Sequence, residues 1–343
     1  MSAVVTEGLT KRFGEETAVD SLDLDVAEGE VFGFLGPNGA GKSTTISMLL
    51  GFLKPTDGSA TVLGTDVSED PRAVRERVGL LPEGFDAVPN LSAREHVRTA
   101  IETKGADDDP DEVIERVGLD PDDARRPADE YSTGMFQRMA LAVALVGDPD
   151  LLVFDEPSAG LDPNGVRLVR DIVEEERERG ATVYFSSHIL DEVERVSDRV
   201  GILQDGKLTA VNSVENLRSE LGMGAVVRAT VDDVPADLRS DGDLTGVEGV
   251  TDVTVEESTV AVSCASPRAK MPALREIDRV ATVEDVTIDE TSLEDLFEAY
   301  TGGRGGPASG GASGTDAATE AGSTDGESGG AGPEVATDGG VPR

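Results

Sequence analysis

The chain has 343 residues, long enough for two compact domains and a further segment, since single domains run to roughly 100–200 residues. Its 69 acidic side chains against 30 basic ones give a formal charge of −39, which repels phosphate backbones and excludes nucleic acid as the main partner. No apolar run approaches the roughly 20 residues that cross a bilayer, and a single cysteine, Cys264, can form neither an internal disulfide nor a metal cluster.

In chain order, Met1 to Thr10 alternates like a strand and lacks the basic, apolar and small-residue segments of a signal peptide, so the chain is expected to stay inside the cell. The apolar run Val31 to Leu35 reads as a strand that feeds a glycine-rich stretch. Ser92 with Glu95 spells a capping box, and Asp109 with Pro110 marks a second helix start. Ser132 opens a third helix, which runs to Val146 before Gly147 and Pro149 stop it. Residues 86–146 are therefore expected to be a helical subdomain inserted into an α/β nucleotide-binding domain spanning 1–222. After it, Leu151 to Phe154 reads as a short buried strand, and ATVYFSS at 181–187 as another.

Beyond residue 222 the predicted order is strand Ala225 to Val231, a loose helical stretch, strands Asp252 to Glu256 and Thr259 to Cys264, helix Arg268 to Ile277 and strand Thr282 to Ile288. That β-α-β-β-α-β order implies a small α+β, ferredoxin-like accessory domain over 223–301, closed by the amphipathic helix SLEDLFEAY from Ser292 to Tyr300. Residues 302–343 hold Gly, Ala, Ser, Thr and acids with almost nothing large to bury, and read as a disordered acidic tail. The absence of an internal repeat implies one nucleotide domain per chain.

The strongest local signal is GPNGAGKST, Gly36 to Thr44, which fits the P-loop pattern G-x-x-x-x-G-K-[ST] directly after a strand. Glycines at 36, 39 and 41 let backbone N–H groups turn toward phosphates, and the helix that follows adds its positive end. Lys42 would neutralise the β and γ phosphates of ATP, and Ser43 would offer its hydroxyl to Mg²⁺. Asp155 and Glu156 emerge at the C-terminal end of the Leu151 strand, where ligands sit in open α/β sheets. Asp155 is expected to hold Mg²⁺ and Glu156 to take a proton from the attacking water.

Between these motifs lies YSTGMFQRMALAVAL at 131–145, and here the chain resembles the ABC ATPases. Ser132 and Gly134 match the serine and second glycine of that family's signature loop, while Tyr131, Thr133 and Met135 replace leucine, glycine and glutamine. The resemblance implies an ABC-type P-loop NTPase fold and adds roles by motif match. Nucleotide contacts fall to Phe13, which would stack on adenine, to Gly36, Pro37, Asn38, Gly39, Ala40, Gly41, Lys42, Ser43 and Thr44, to Glu83 in the Q-loop position of LLPEG, and to Ser132, Gly134 and Asp162. Asp162 ends the D-loop-like SAGLD, and His188 matches the switch histidine. Lys42, Glu156 and His188 are the implied catalytic set, and Ser43, Asp155 and Glu83 the implied Mg²⁺ set. His96 has no neighbouring ligand set and reads as solvated or structural.

The same resemblance implies an ATPase subunit that pairs with a second copy, or with a related ATPase subunit, around two Mg-ATP molecules and drives a separate membrane permease from the cytoplasmic face. A soluble chromosome-associated ABC ATPase would separate the two half-sites by a long coiled coil, whereas Lys42 and Ser132 stand only 90 positions apart. Ribosome-associated members usually carry two nucleotide domains, and a degenerate regulator would lack the intact Lys42, Asp155, Glu156 and His188. Glu83, YSTGM and SLEDLFEAY resemble the exporter-type branch that includes drug-resistance, sodium-efflux and copper-processing ATPases, which leaves drug, ion, lipid and metal cargo open.

Only six of the basic residues are lysines, and acids dominate nearly every surface-like stretch, the composition of a salt-adapted protein. Self-repulsion of that size opens a fold in dilute buffer and fades near 1 M salt, where the screening length is about 3 Å. Dialysis from concentrated to dilute salt is expected to cost the protein secondary structure. A circular dichroism spectrum unchanged by that dialysis contradicts this expectation.

Overall fold

The computed structural model describes residues 1–88, 90–187, 189–221, 224–232, 244, 246–256 and 258–301. The chain opens with strands β1 (Ser2–Phe13), β2 (Glu16–Ala27) and β3 (Val31–Leu35), then helix α1 (Lys42–Leu49). Next come β4 (Asp57–Val62), β5 (Thr65–Asp66), α2 (Pro71–Glu76) and β6 (Val78–Leu81). The helices α3 (Ala93–Lys104), α4 (Pro110–Arg116) and α5 (Thr133–Leu145) follow, then β7 (Leu151–Asp155), α6 (Pro163–Arg179) and β8 (Thr182–Ser187). Helix α7 (Leu190–Val196), strands β9 (Arg199–Gln204) and β10 (Lys207–Asn212) and helix α8 (Val214–Glu220) lead to β11 (Ala225–Val231). The remainder is β12 (Val250–Glu256), β13 (Thr259–Cys264), α9 (Pro267–Val280), β14 (Val283–Glu290) and α10 (Leu293–Thr301).

Among the described residues these strands form three sheets, ordered β2-β1-β4-β5, β10-β9-β3-β8-β7-β6 and β12-β13-β11-β14. In the six-stranded sheet β9, β3, β8, β7 and β6 run parallel, and β10 returns antiparallel along β9. A parallel sheet is covered on both faces, which is why β3, β7 and β8 are buried at every residue rather than alternating. Phe32 and Phe34 of β3 and Tyr184 of β8 pack one face, with ring centroids 5.4–6.5 Å apart. On the other face α7 lies directly on β3 at Gly33, where an added Cβ would stand 2.3 Å from Val193 Cγ1.

The helical segment forms as its caps dictate. Ser92 and Glu95 close a reciprocal capping box on α3, Asp109 caps α4, and the Ser132 hydroxyl accepts from the Met135 N–H to start α5. Fully buried Glu176 on α6 ties this segment to the sheet, since Arg116 of α4 and Arg179 both bond its carboxylate. Removing one partner of such a pair leaves a buried charge and costs about 3–5 kcal/mol.

The third sheet is antiparallel throughout, and its order, second-third-first-fourth strand, is that of a ferredoxin-like sheet. Helix α9 covers it through Ala269, Ala273 and Ile277. The loose helical stretch expected after β11 and the expected disordered tail both lie outside the described residues. Helix α10, grouped with this segment on sequence grounds, instead buries Leu293 and Leu296 in the core shared by Val193 of α7 and Leu217 of α8. Its start is held by Glu194 of α7, whose carboxylate accepts from the Leu293 N–H at 3.1 Å.

Candidate functional site

Because β8 lies between β3 and β7, the loops leaving all three strands open at one edge of the sheet. The loop after β3 turns through Gly39 and Gly41, both with positive φ. At Gly41 φ is 110° and an added Cβ would meet the Ala18 carbonyl oxygen at 2.4 Å, so no other residue fits there without moving β2. Thr45 bonds back to the Gly41 carbonyl through its backbone N–H and its hydroxyl, each at 2.9 Å, which locks the first turn of α1.

Lys42 is nearly buried, and its ammonium donates to the Gly36 carbonyl at 2.8 Å and stands 3.7 Å from Glu156 Oε1. Glu156 holds a left-handed backbone, φ 53°, and its N–H donates to the Ser186 carbonyl at 3.1 Å. A non-glycine residue in that region costs energy that the surrounding structure must hold in place. Asp155 is also nearly buried and accepts a hydrogen bond from the Ser186 hydroxyl. Beside it, burial first and the Asp155 charge second push the Tyr184 phenol well above its ordinary pKa, so it stays neutral.

These groups face a cleft of about 610 Å³, lined by Phe13, Asn38, Gly39, Gly41, Lys42, Ser43, Thr44, Glu83 and Glu156 among the expected residues, with Glu16 and Ala18 in addition. Phe13 is half exposed at the end of β1, where Lys11 Nζ sits 5.2 Å over its ring. Asp155 lies behind this cleft instead of lining it, while Glu156 faces it. Ser132, Gly134 and Asp162 do not line it either; Ser132 and Asp162 are exposed, and Asp162 caps α6 by accepting from the Gly165 N–H at 2.7 Å. His188 lies outside the described residues.

The arrangement suits a magnesium nucleotide. Glycine-permitted turns, a helix N-terminus and one ammonium suit phosphates, and Ser43, Glu83 and Glu156 present only hard oxygen donors.

Sequence reasoning missed Ser186, which orients Asp155 from 31 residues away, and the Glu16 and Ala18 wall on β2. It also missed two ties of α5. Tyr131, the residue in place of leucine, accepts from the Ala93 N–H at 3.1 Å and donates to the Asp123 carbonyl at 3.0 Å. Gln137 reaches the Pro157 carbonyl at 2.9 Å, linking the helix that Ser132 caps to the strand end that carries Glu156.

Residues 19–159 match the family model described as ABC transporter. The chain is 36% identical over 309 residues to the daunorubicin/doxorubicin resistance ATP-binding protein of Streptomyces peucetius, covering 88% of this chain and 92% of that protein. It belongs to the ABC transporter family. It is likewise 32% identical over 310 residues to the bacitracin transport ATP-binding protein of Enterococcus faecalis, covering 88% and 97% of the two chains. A dimeric ATP-binding cassette solved in a post-hydrolysis state with ADP and Pi superposes with a TM-score of 0.58 at 25% identity, over 62% of this chain and 98% of that one. This ABC protein is thus an ATP-hydrolysing, exporter-type ATP-binding subunit with a P-loop NTPase fold. No helix among the described residues is long and apolar enough to cross a membrane.

Gly41→Ala is expected to weaken ATP binding by more than about tenfold, or 1.4 kcal/mol, because the Ala18 carbonyl must yield. Titration with a fluorescent ATP analogue checks it, and wild-type affinity in that variant would show that the backbone around Gly41 does not shape the phosphate cradle.

Proposed function

We propose that two copies of this chain, or this chain and a related subunit, close head to tail around two Mg-ATP molecules, each copy lending Ser132 and Gly134 to the nucleotide held by its partner. The observation that carries this reading is that Ser132 caps α5 on the exposed surface while its own Lys42 cleft is lined without it. A cap serine offers a hydroxyl and free N–H groups that suit a γ phosphate, so a second molecule is needed to bring them to one.

Within each cleft Lys42 holds the phosphates and Phe13 flanks the base. Ser43, with Asp155 behind it and Glu83 beside it, would hold Mg²⁺, whose charge supports the departing phosphate. Glu156, 3.7 Å from the Lys42 ammonium, takes the proton of the attacking water. His188 belongs to this catalytic set, and Asp162, as the cap of α6, orders the segment between the two half-sites.

The division into a nucleotide unit at 1–222 and an accessory unit from 223 is part of the same reading, with α10 serving as the clamp that returns to the first. A membrane permease is the proposed partner. An apolar groove of about 330 Å³, lined by Phe85, Val88, Leu91, His96, Ala100 and Val143, suits one of its helices, and Phe85 stands two residues past Glu83. His96 shapes that groove with its Nδ1 2.8 Å from the Ser92 carbonyl oxygen and its Nε2 accepting from the Val88 N–H at 2.9 Å. Docking there places the chain on the cytoplasmic face of a membrane. Relatives named for daunorubicin/doxorubicin resistance, bacitracin transport and linearmycin resistance favour an organic, drug-type cargo over a metal.

Glu156→Gln is expected to keep ATP bound and to slow turnover by about 10²–10⁴, the usual worth of a positioned general base. It is also expected to accumulate as an ATP-bound dimer on size exclusion in concentrated salt. Turnover near that of the unaltered protein would remove Glu156 from the proton-accepting role.

A further inference from the structure

A second pocket, of about 350 Å³, opens between α6 and α7 and shares no lining residue with the Lys42 cleft. Val166, Val169 and Val173 of α6, Phe185 of β8 and Val196 of α7 give it an apolar wall. Arg167, Arg170 and Arg195 line the same space. Its size falls near the lower end of the roughly 300–1,000 Å³ of small-molecule sites.

What sets the three arginines apart is that they share one pocket while none of them is paired among the described residues. Acids outnumber bases by more than two to one in this chain, and Arg94, Arg116, Arg126, Arg179 and Arg218 each close an ion pair, whereas Arg98, Arg268 and Arg275 close none among the described residues and do not line this pocket. Among the described residues Arg167, Arg170 and Arg195 take no ion pair and no side-chain hydrogen bond. Asp171 and Glu174 stand four positions beyond Arg167 and Arg170, a spacing that closes ion pairs on helices, yet neither pair forms. Asp198, three beyond Arg195, is already held by Arg177 at 2.7 Å and by the Val31 N–H at 2.9 Å. The side chains of Asp191 and Glu192 on α7 lie outside the described residues.

Guanidinium groups are weakly hydrated donors that match a carboxylate in a bidentate manner. We infer that the pocket between α6 and α7 binds a small amphipathic anion, a carboxylate on a compact alkyl body, with the head among the three arginines and the chain along Val169, Val173 and Phe185. Pro157 and Ser158 line the pocket directly after Glu156, and Ile189 lines it directly after residue 188. An occupant therefore touches the segments that leave β7 and β8, the strands that carry Asp155 and Ser186.

Octanoate is the probe, titrated calorimetrically into the full chain in concentrated potassium chloride, with octanol and octyltrimethylammonium as uncharged and cationic controls. Octanoate is expected to saturate one site, and both controls to bind at least about tenfold more weakly, the factor that 1.4 kcal/mol of head-group contact supplies. The double variant Arg170→Gln/Arg195→Gln should lose about tenfold or more in octanoate affinity, whereas Arg170→Lys should retain most of it. Val173→Phe keeps every arginine and narrows the space, and should also lose octanoate binding. An unchanged far-ultraviolet circular dichroism spectrum establishes that each variant is folded. Absence of saturable octanoate binding, equal binding of octanol, or undiminished affinity in the double variant overturns the inference.

Discussion

The Lys42 ammonium and the Glu156 carboxylate sit 3.7 Å apart in a nearly buried setting, and most of the fold exists to hold that pair at one sheet edge. Taking both charges out of water costs more than their mutual attraction returns unless further groups support them. The Gly36 carbonyl supports the lysine, and β8, placed between β3 and β7, supplies the Ser186 groups that fix Glu156 and Asp155. Parallel strands of short length, covered on both faces, make such an edge stiff. The aromatic stack of Phe32, Phe34 and Tyr184 packs β3 against β8 on one face, and α7 seats closely on β3 at Gly33 on the other.

Binding at this edge has a structural route to the rest of the molecule. Gln137 connects the helix capped by Ser132 to the backbone after Glu156, while Glu176, Arg116 and Arg179 join the helical segment to α6. The C-terminal sheet is tied in by a different set of charges. Arg218 of α8 bonds Glu290 of β14 at 3.0 Å and the Thr291 carbonyl at 2.7 Å, and it also contacts Glu194 of α7. Helix α10 completes that junction through Leu293 and Leu296, so α7 packs against both β3 and the last helix of the described chain. The third sheet is thus joined through α8 and α10 to α7, which lies on β3, the strand that leads into residues 36–44.

Much of this was legible in the sequence wherever the chemistry is local. The phosphate loop needs glycines at fixed offsets, a carboxylate pair must follow a buried strand, and a cap serine must precede its helix, so Gly41, Lys42, Glu156, Ser92 and Ser132 announce themselves in short windows. The predicted strand at Ala225 to Val231 matches β11 end to end, since alternation and turn residues bound it on both sides. What stayed hidden depends on distance along the chain. Nothing near Asp155 names Ser186 as its partner, nothing near Gly33 foretells Val193, and the amphipathic face of α10 does not say which core will bury it. The separate roles expected of Asp155 and Glu156 were read from the sequence, but which of the two lines the cleft was not. Adjacent residues at a strand end point in different directions, and only the cleft shows that Glu156 faces it while Asp155 lies behind.

In the proposed head-to-tail pairing, a working site needs the Lys42 loop of one copy and the Ser132 loop of another. Mixing two separately inactive variants, Lys42→Ala and Ser132→Arg, tests it most directly, because a mixed pair contains one site with both lesions and one site with neither. ATP turnover of the mixture in concentrated salt with magnesium is predicted to rise well above that of either variant alone. A mixture as inactive as its components, although the two copies associate, would contradict a site shared between chains.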